Sequence, residues 1–412
     1  MKFETIDGLL TIQLGLVETT MLAGALLMLG YALRHKIHFL EKFCIPAPVI
    51  GGLIFALVAW GLRSFNIIAF SLDTTLQTPF MIAFFACVGF SGSFALLKRG
   101  GKALIIFLFI CFGMAIVQNI VGVSLAKLMN INPLLGVMAG AVSLTGGHGN
   151  AAAFGPSAES LGAVGAEAVA VAAATYGLIA GSLSGGPIGR YLIDRYKPPI
   201  KTSDDALFTE ENTNTKAEKQ MIDAFTLMKY MTFVGVFMVI GNLAVNWVAS
   251  LNIKNFALPA YVGAMFAAII FRNLNDTFKL MDFREDAIDL IKEVGLGFFL
   301  TMAIMTLRIW DLASLAGPLI IILLVQTVVV LFVIRFIVWP AMGKDYDAAV
   351  IAAGFSGVGL GVTATGVASM SSVTEHFNQP SPKALIIVPL CNAVFIDIVA
   401  IPAILWFLQT FA

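Results

Sequence analysis

The chain has 412 residues, of which 59% are hydrophobic and only 12% are charged. Soluble proteins carry about 25% charged residues, so this composition excludes an ordinary soluble domain and predicts a protein with several membrane spans. The 25 basic residues equal the 25 acidic residues, which leaves no basic surface for nucleic acid. Nucleic-acid binding is therefore excluded as the main function.

Apolar stretches long enough to cross the bilayer, about 20 residues each, occur ten times along the chain. They are 13–33, 43–62, 77–97, 103–126, 164–189, 228–250, 256–271, 290–307, 318–339 and 384–411. The first is predicted to remain as a span, because no basic segment of a cleavable signal precedes it. The four cysteines, Cys44, Cys87, Cys111 and Cys391, lie in apolar runs without metal-ligand spacing. They are predicted to be small buried residues.

The distribution of basic residues predicts the orientation. With the N-terminus outside, 20 of the 25 lysines and arginines lie on the inner side, as the positive-inside rule requires. Both termini then lie outside and the polar central loop lies inside. This count requires two Gly-rich apolar segments, 133–162 and 348–375, to enter and leave on the same side. They are therefore predicted to be re-entrant hairpins.

An internal repeat divides the chain. Phe43-x-Ile45-Pro46-Ala47-x-Val49 recurs 213 residues later as Phe256-x-Leu258-Pro259-Ala260-x-Val262. Each half contains five spans, and an odd number inverts the second copy in the membrane, as in secondary transporters. We predict an all-α membrane protein of two inverted five-helix repeats, 1–194 and 223–412, joined by a cytoplasmic linker, 195–222. Chance similarity of Gly- and Ala-rich helices is the alternative.

The two hairpins are predicted to break inside the membrane. The 13 apolar residues from Pro133 to Thr145 would rise roughly 20 Å, short of the roughly 30 Å core. A turn at 146–150 is predicted next, with a helix resuming at Ala151. The second hairpin is predicted to break at 354–361 and to resume after Thr365. Broken segments at corresponding positions of two halves indicate a substrate site.

The chemistry of such breaks suits an anion that travels with a small cation. The helix after each break exposes free N–H groups and the positive end of its dipole, and hydroxyls and carbonyls supply oxygen ligands. The predicted substrate-binding residues are Ser143, Thr145, Gly146, Gly147, His148, Gly149, Asn150, Ser356, Gly357, Gly359, Thr363, Thr365 and Asn392. The predicted sodium ligands are Asp397, Asn150 and Thr363. Alternatively, the glycines only allow close helix packing.

Three side chains have competing interpretations. Asp397 is predicted to face sodium or a substrate ammonium, and pairing with Arg335 is its structural alternative. Asn392 lies five residues earlier, roughly 140° away on a regular helix, so it is assigned a different role, toward the second hairpin. His148 is either a protonatable coupling residue or a neutral residue that shapes the turn.

The hairpin motifs Ser143-Leu-Thr-Gly-Gly-His-Gly-Asn150 and Gly357-Val-Gly-Leu-Gly-Val-Thr-Ala-Thr-Gly366 resemble those of the glutamate:sodium symporter family. The resemblance extends over essentially the whole chain. It implies glutamate as substrate, sodium as coupling ion and a homodimer in the bacterial inner membrane. The termini, placed outside by the charge distribution, would then be periplasmic, and no cofactor other than the coupling ion is predicted. It also implies that the two hairpins form the translocation site.

The sequence is also compatible with three other functions. A sodium-coupled carrier of similar dicarboxylates has the same requirements. Gly354-Phe-Ser356-Gly357 has the GxSG form of intramembrane serine proteases, but no histidine base lies beside it in the sequence. A channel built on two re-entrant segments is the third alternative. A transporter and not an enzyme is the preferred interpretation.

Overall fold

The computed structural model describes residues 2–6, 9–43, 45–94, 101–199, 222–250, 259–281, 283–309 and 315–412. In the first half the helices are α1 (Leu16–Lys36), α2 (His38–Lys42), α3 (Ala47–Ser64), α4 (Gln77–Ser91), α5 (Gly101–Leu128), α6 (Pro133–Val137), α7 (Gly147–Ser160) and α8 (Ala166–Tyr196). In the second half they are α9 (Ala224–Ser250), α10 (Ala260–Phe278), α11 (Glu285–Met305), α12 (Ala316–Val333), α13 (Trp339–Ala341), α14 (Tyr346–Leu360), α15 (Thr363–His376), α16 (Pro382–Leu390) and α17 (Ile396–Phe411).

In the part of the chain that the structure describes, three turns of π-helix interrupt this series: Met138–Val142 after α6, Ile334–Val338 after α12 and Cys391–Phe395 between α16 and α17. Among the described residues, six helices are long and apolar enough to cross a membrane: Leu16–Lys36, Ala47–Ser64, Gly101–Leu128, Ala166–Tyr196, Ala224–Val248 and Ala316–Ala341. Large apolar side chains such as Val17, Trp247 and Val328 are exposed on the outer faces of these helices. Apolar helices with apolar outer faces confirm the prediction of a membrane protein.

The structure contains a small sheet that the sequence analysis does not predict. Two of its strands precede α1 and the third follows α3. Strand β2 (Leu9–Leu14) pairs antiparallel with β1 (Lys2–Ile6) and parallel with β3 (Ala69–Leu72). The alternation of apolar and polar residues in Leu9–Leu14 is typical of a strand. The first helix consequently begins at Leu16, three residues later than predicted.

The helices form two packed groups, each with members from both halves of the chain. Body 1 comprises α1, α3 and α4 with α9, α10 and α11. Body 2 comprises α5 to α8 with α12 to α17, and therefore contains both broken segments. Among the described residues, the main helix contacts between the bodies are those of α11 with α7 and of α4 with the π turn at Cys391–Phe395. Contacts are thus dense within each body and sparse between them.

Candidate functional site

The first break consists of a kink and a tight turn. Gly140 has non-helical dihedral angles (φ −104°, ψ −131°), and the N–H of Ala141 donates to Asn119 Oδ1 at 3.1 Å. The chain then reverses at Thr145 and Gly146, and α7 begins at Gly147, whose φ is +66°. Glycine adopts this left-handed conformation without steric cost.

The predicted turn at 146–150 is therefore wrong in extent. His148, Gly149 and Asn150 belong to the first turn of α7, because a single glycine with positive φ completes the reversal. The free N–H groups of this helix consequently begin at 147 and not after 150.

The second break is also shorter than predicted. Helix α14 continues to Leu360, only Gly361 and Val362 are extended or irregular, and α15 begins at Thr363. The prediction of a break across 354–361 is wrong in extent, because Gly354, Gly357 and Gly359 lie inside a continuous helix where they allow close packing. The helix also resumes at Thr363 and not after Thr365 as predicted. A Cβ at Gly357 would lie 2.1 Å from the backbone nitrogen of Gly366 in α15.

A cavity of about 280 Å³ lies where the two breaks approach body 1. Body 1 contributes apolar side chains, including Phe84 and Leu296, and one lysine, Lys292. Body 2 contributes the polar residues of both breaks and of the last helix. The predicted site residues that line the cavity are Thr145, Gly146, His148, Gly149, Asn150, Thr363, Asn392 and Asp397.

Two hydrogen bonds tie the breaks to the last helix. Asn150 Nδ2 donates to Asp397 Oδ1 at 2.9 Å, and Asn392 Nδ2 donates to Thr363 Oγ1 at 3.0 Å. The N-terminal turns of α7 and α15 thus meet the same polar segment. A carboxylate, two amides, a hydroxyl and two helix N-termini converge on one cavity between two bodies.

Comparison with known proteins decides the family. The family model for the sodium/glutamate symporter matches residues 12–379. The sodium/glutamate symporter of Escherichia coli (strain K12) is 38% identical over 392 residues, which cover 94% of this chain and 96% of the relative. The sodium/glutamate symporter of Haemophilus influenzae is 39% identical over 388 residues, covering 93% and 94%. This chain belongs to the sodium/glutamate symporter family.

In this symporter-family chain, Asn392 and Asp397 line the same cavity although a regular helix would separate them by roughly 140°. The π-helical turn Cys391–Phe395 lies between α16 and α17 and changes the phase of the helix. The separation of roughly 140° expected for a regular helix therefore does not apply here, and the hydrogen bond from Asn392 to Thr363 agrees with the predicted placement of Asn392 toward the second hairpin. π turns of this kind occur frequently at functional sites.

Six predicted residues do not line the cavity. They are Ser143, Gly147, Ser356, Gly357, Gly359 and Thr365. The Ser143 hydroxyl donates to the carbonyl of Met138 at 2.5 Å. The Ser356 hydroxyl is hydrogen-bonded to the carbonyls of Ala353 and Gly181 at 2.8 and 3.1 Å. Both hydroxyls are buried, and both donate to backbone carbonyls of the packed helices instead of facing the cavity.

The remaining polar groups have other partners than those considered from the sequence. His148 Nε2 lies 3.0 Å from Thr175 Oγ1, so His148 and Ser356 have separate partners and do not form a serine–histidine dyad. Arg335 donates to the Tyr196 hydroxyl, while Asp397 accepts from Asn150. The structure therefore does not pair Asp397 with Arg335.

A buried amide bridge connects the first break to the last turn of α14, next to the second break, and the sequence analysis does not predict it. The Thr145 hydroxyl donates to Gln118 Oε1 at 2.6 Å, and Gln118 Nε2 donates to the carbonyl of Gly359 at 2.6 Å. Gln326 Nε2 donates in turn to the carbonyl of Gln118 at 2.7 Å. The sequence feature that indicates such a bridge is a glutamine near the middle of each of two apolar spans, since polar groups at that depth require partners.

The cysteines behave as predicted where the structure describes them. Cys87, Cys111 and Cys391 are buried and free, and the sulfurs of Cys111 and Cys391 lie 3.8 Å apart. Cys44 lies outside the described residues. These side chains pack as small apolar groups.

Proposed function

We propose that this chain is a secondary transporter that carries glutamate with sodium across the bacterial inner membrane. The observation that carries the proposal is the cavity between the two bodies, which both helix breaks line together with Asp397. The relatives are sodium/glutamate symporters, and sodium/glutamate symport agrees with this chemistry.

The site residues have complementary roles in this proposal. Glutamate carries two carboxylates and one ammonium, and the N-termini of α7 and α15 suit the carboxylates. Asp397 provides the negative charge for the ammonium or for sodium, with Asn150 and Thr363 as further oxygen ligands. Ser143 and Ser356, which bond to backbone carbonyls, would act by holding the broken helices in place.

Alternating access requires two related conformations, and we infer an inverted repeat as their source. Helices α3 and α10 both follow a proline with similar dihedral angles, Pro46 (φ −64°, ψ 139°) and Pro259 (φ −65°, ψ 149°). The order of long helices, broken segment and final helix is the same in 1–194 and 223–412. Helices at equivalent positions also pack on each other, α4 on α11 and α5 on α12. These observations support two structural repeats joined by the linker 195–222.

The proposed arrangement in the membrane follows from the charge distribution. The termini lie in the periplasm and the linker lies in the cytoplasm, so the hairpin 133–162 enters from the periplasm and 348–375 from the cytoplasm. Sparse contacts between the bodies allow body 2, with both breaks, to shift against body 1. The functional unit is proposed to be a homodimer in the lipid bilayer, with sodium as coupling ion and no further cofactor.

Uptake into proteoliposomes tests the proposal. We expect labelled glutamate to accumulate under an inward sodium gradient and not under a proton gradient alone. A panel of unlabelled anions separates glutamate from dicarboxylates without the amine, because Asp397 would disfavour the latter. Accumulation that persists without sodium would refute the coupling, and absence of exchange between labelled and unlabelled glutamate would indicate a channel.

Thiol labelling tests whether both breaks form one site. In a background without the native cysteines, Thr145→Cys and Thr363→Cys each place a thiol at the cavity. Glutamate is expected to slow the labelling of both thiols. Labelling that glutamate leaves unchanged at both positions would contradict a shared site.

A further inference from the structure

Lys292 is the one lysine or arginine among the described residues that line the cavity. It belongs to α11 and therefore to body 1, whereas Asp397 and both breaks belong to body 2. The two formal charges at the cavity thus lie on opposite bodies. Leu296 and Leu300 also line the cavity from the same face of α11. Lys292 is therefore the polar residue of the cavity lining that α11 contributes.

The ammonium of Lys292 has a carboxylate partner outside the cavity. Lys292 Nζ lies 2.5 Å from Asp289 Oδ1, one turn earlier in α11, and the two side chains are 29% and 55% exposed. Asp289 is not among the residues that line the cavity. Ion pairs at exposed positions contribute little to stability, so a carboxylate entering the cavity can replace Asp289 at low cost.

We propose that Lys292 releases Asp289 and binds a carboxylate of the substrate instead, and that it does so only in this conformation of the two bodies. The proposal rests on the proposed function and adds a specificity-determining residue to it. Movement of body 2 would carry the substrate away from Lys292, since the lysine stays on body 1. Asp289 then receives the ammonium again.

The charges of the cavity fit an amino dicarboxylate. Asp397 matches the ammonium, and the helix N-termini suit both carboxylates, one of which also pairs with Lys292. A neutral amide analogue such as glutamine has no second carboxylate and cannot form a salt bridge with Lys292. Lys292 would therefore favour glutamate over glutamine.

Competition by unlabelled glutamate and glutamine tests this in proteoliposomes. The pair of Lys292 with the substrate forms inside the cavity, where a hydrogen bond to a charged group contributes more than the exposed pair with Asp289. Lys292→Gln is therefore expected to weaken glutamate binding about tenfold or more and to leave glutamine binding unchanged. Lys292→Arg keeps the charge and should retain most of the preference. Lys229→Gln is the matched control, because Lys229 lies exposed on α9 of the same body, against the ring of Tyr230 and outside the cavity.

Substitution of Asp289 distinguishes substrate binding by Lys292 from a purely structural ion pair between Lys292 and Asp289. Asp289→Asn should leave glutamate affinity unchanged or higher, since it removes the competitor for Lys292. The double variant Asp289→Asn with Lys292→Gln should remain as weak as Lys292→Gln alone. Restoration of glutamate affinity in the double variant would overturn the proposal, as would equal losses for glutamate and glutamine in Lys292→Gln.

The two sides of the membrane provide a second readout. Glutamate affinity measured in right-side-out and inside-out vesicles should fall on one side only in Lys292→Gln. Equal loss on both sides would contradict a role restricted to one conformation. Failure of the unmodified protein to accumulate glutamate under a sodium gradient would instead refute the proposed function.

Discussion

The two helix breaks reach the same cavity with different backbones. The first combines a kink at Gly140 with a reversal at Gly147, whose φ is +66°. The second uses two residues, Gly361 and Val362, neither of which has a positive φ. The first break therefore requires a glycine for its conformation, and the second requires one mainly for space.

The side-chain anchors of the two breaks also differ. Asn150 at the first break donates to a carboxylate, Asp397, whereas Thr363 at the second accepts from a neutral amide, Asn392. Hydrogen bonds to charged groups contribute about 1.5–3 kcal/mol, against about 1 kcal/mol between neutral groups. Loss of the Asn150–Asp397 hydrogen bond is therefore expected to weaken substrate or sodium binding more than loss of the Asn392–Thr363 hydrogen bond.

The largest effect is expected for Asp397→Asn. The variant keeps the shape of the side chain but removes the charge, and sodium or glutamate affinity should weaken at least tenfold, about 1.4 kcal/mol. Initial uptake rates at varied sodium and varied glutamate measure it, with expression checked in the membrane fraction. Unchanged dependence on both solutes would make Asp397 a structural carboxylate only.

The second prediction compares glycines at the two breaks. Gly147→Ala introduces a left-handed alanine, which costs about 1–2 kcal/mol, and its Cβ would lie 3.0 Å from Val362 Cγ1. At Gly361 the nearest atom to an added Cβ is Thr365 Oγ1 at 3.3 Å, and φ is not positive. Thermal unfolding in detergent should show a larger loss for Gly147→Ala than for Gly361→Ala. The reverse order would contradict the difference between the two backbones.

A smaller effect is expected from Thr363→Val, which removes the acceptor of Asn392 and should cost about 1 kcal/mol. Thr365→Val is the matched control, because the Thr365 hydroxyl has no hydrogen-bond partner among the described residues. Glutamate competition curves should shift about fivefold in the first variant and little in the second. A larger shift in Thr365→Val would assign the active hydroxyl to Thr365.

The smallest effect is expected from Thr175→Val. His148 is buried and would lose its hydroxyl partner while packing still holds the ring, so uptake should fall by only about twofold, well within the loss of one neutral hydrogen bond. Uptake at several pH values measures this. A loss that grows as pH falls would show that His148 takes up a proton during transport.

The candidate site was only partly predictable. The sequence predicts Asp397 because a carboxylate inside an apolar span is costly without a function. It predicts Asn150 and Thr363 because Gly-rich breaks in apolar segments expose N–H groups and oxygen ligands. Ser356 and Gly359 were selected by the same argument and yet lie inside α14, where they serve packing and the contact with Gln118. A glycine in the sequence indicates either a break or a close approach, and only the packed neighbours distinguish them.

Hydropathy alone determined that this chain belongs in a membrane, because the transfer of side chains into a bilayer depends on composition and length. The approximate helix positions and the general location of the polar segments follow from the same local pattern. The tertiary structure decided which residues share the cavity. The π turn at Cys391–Phe395 brings Asn392 and Asp397 to one site, and the packing of α11 against α7 brings Lys292 to the same cavity. Both depend on contacts between residues far apart in the chain, which local propensity does not contain.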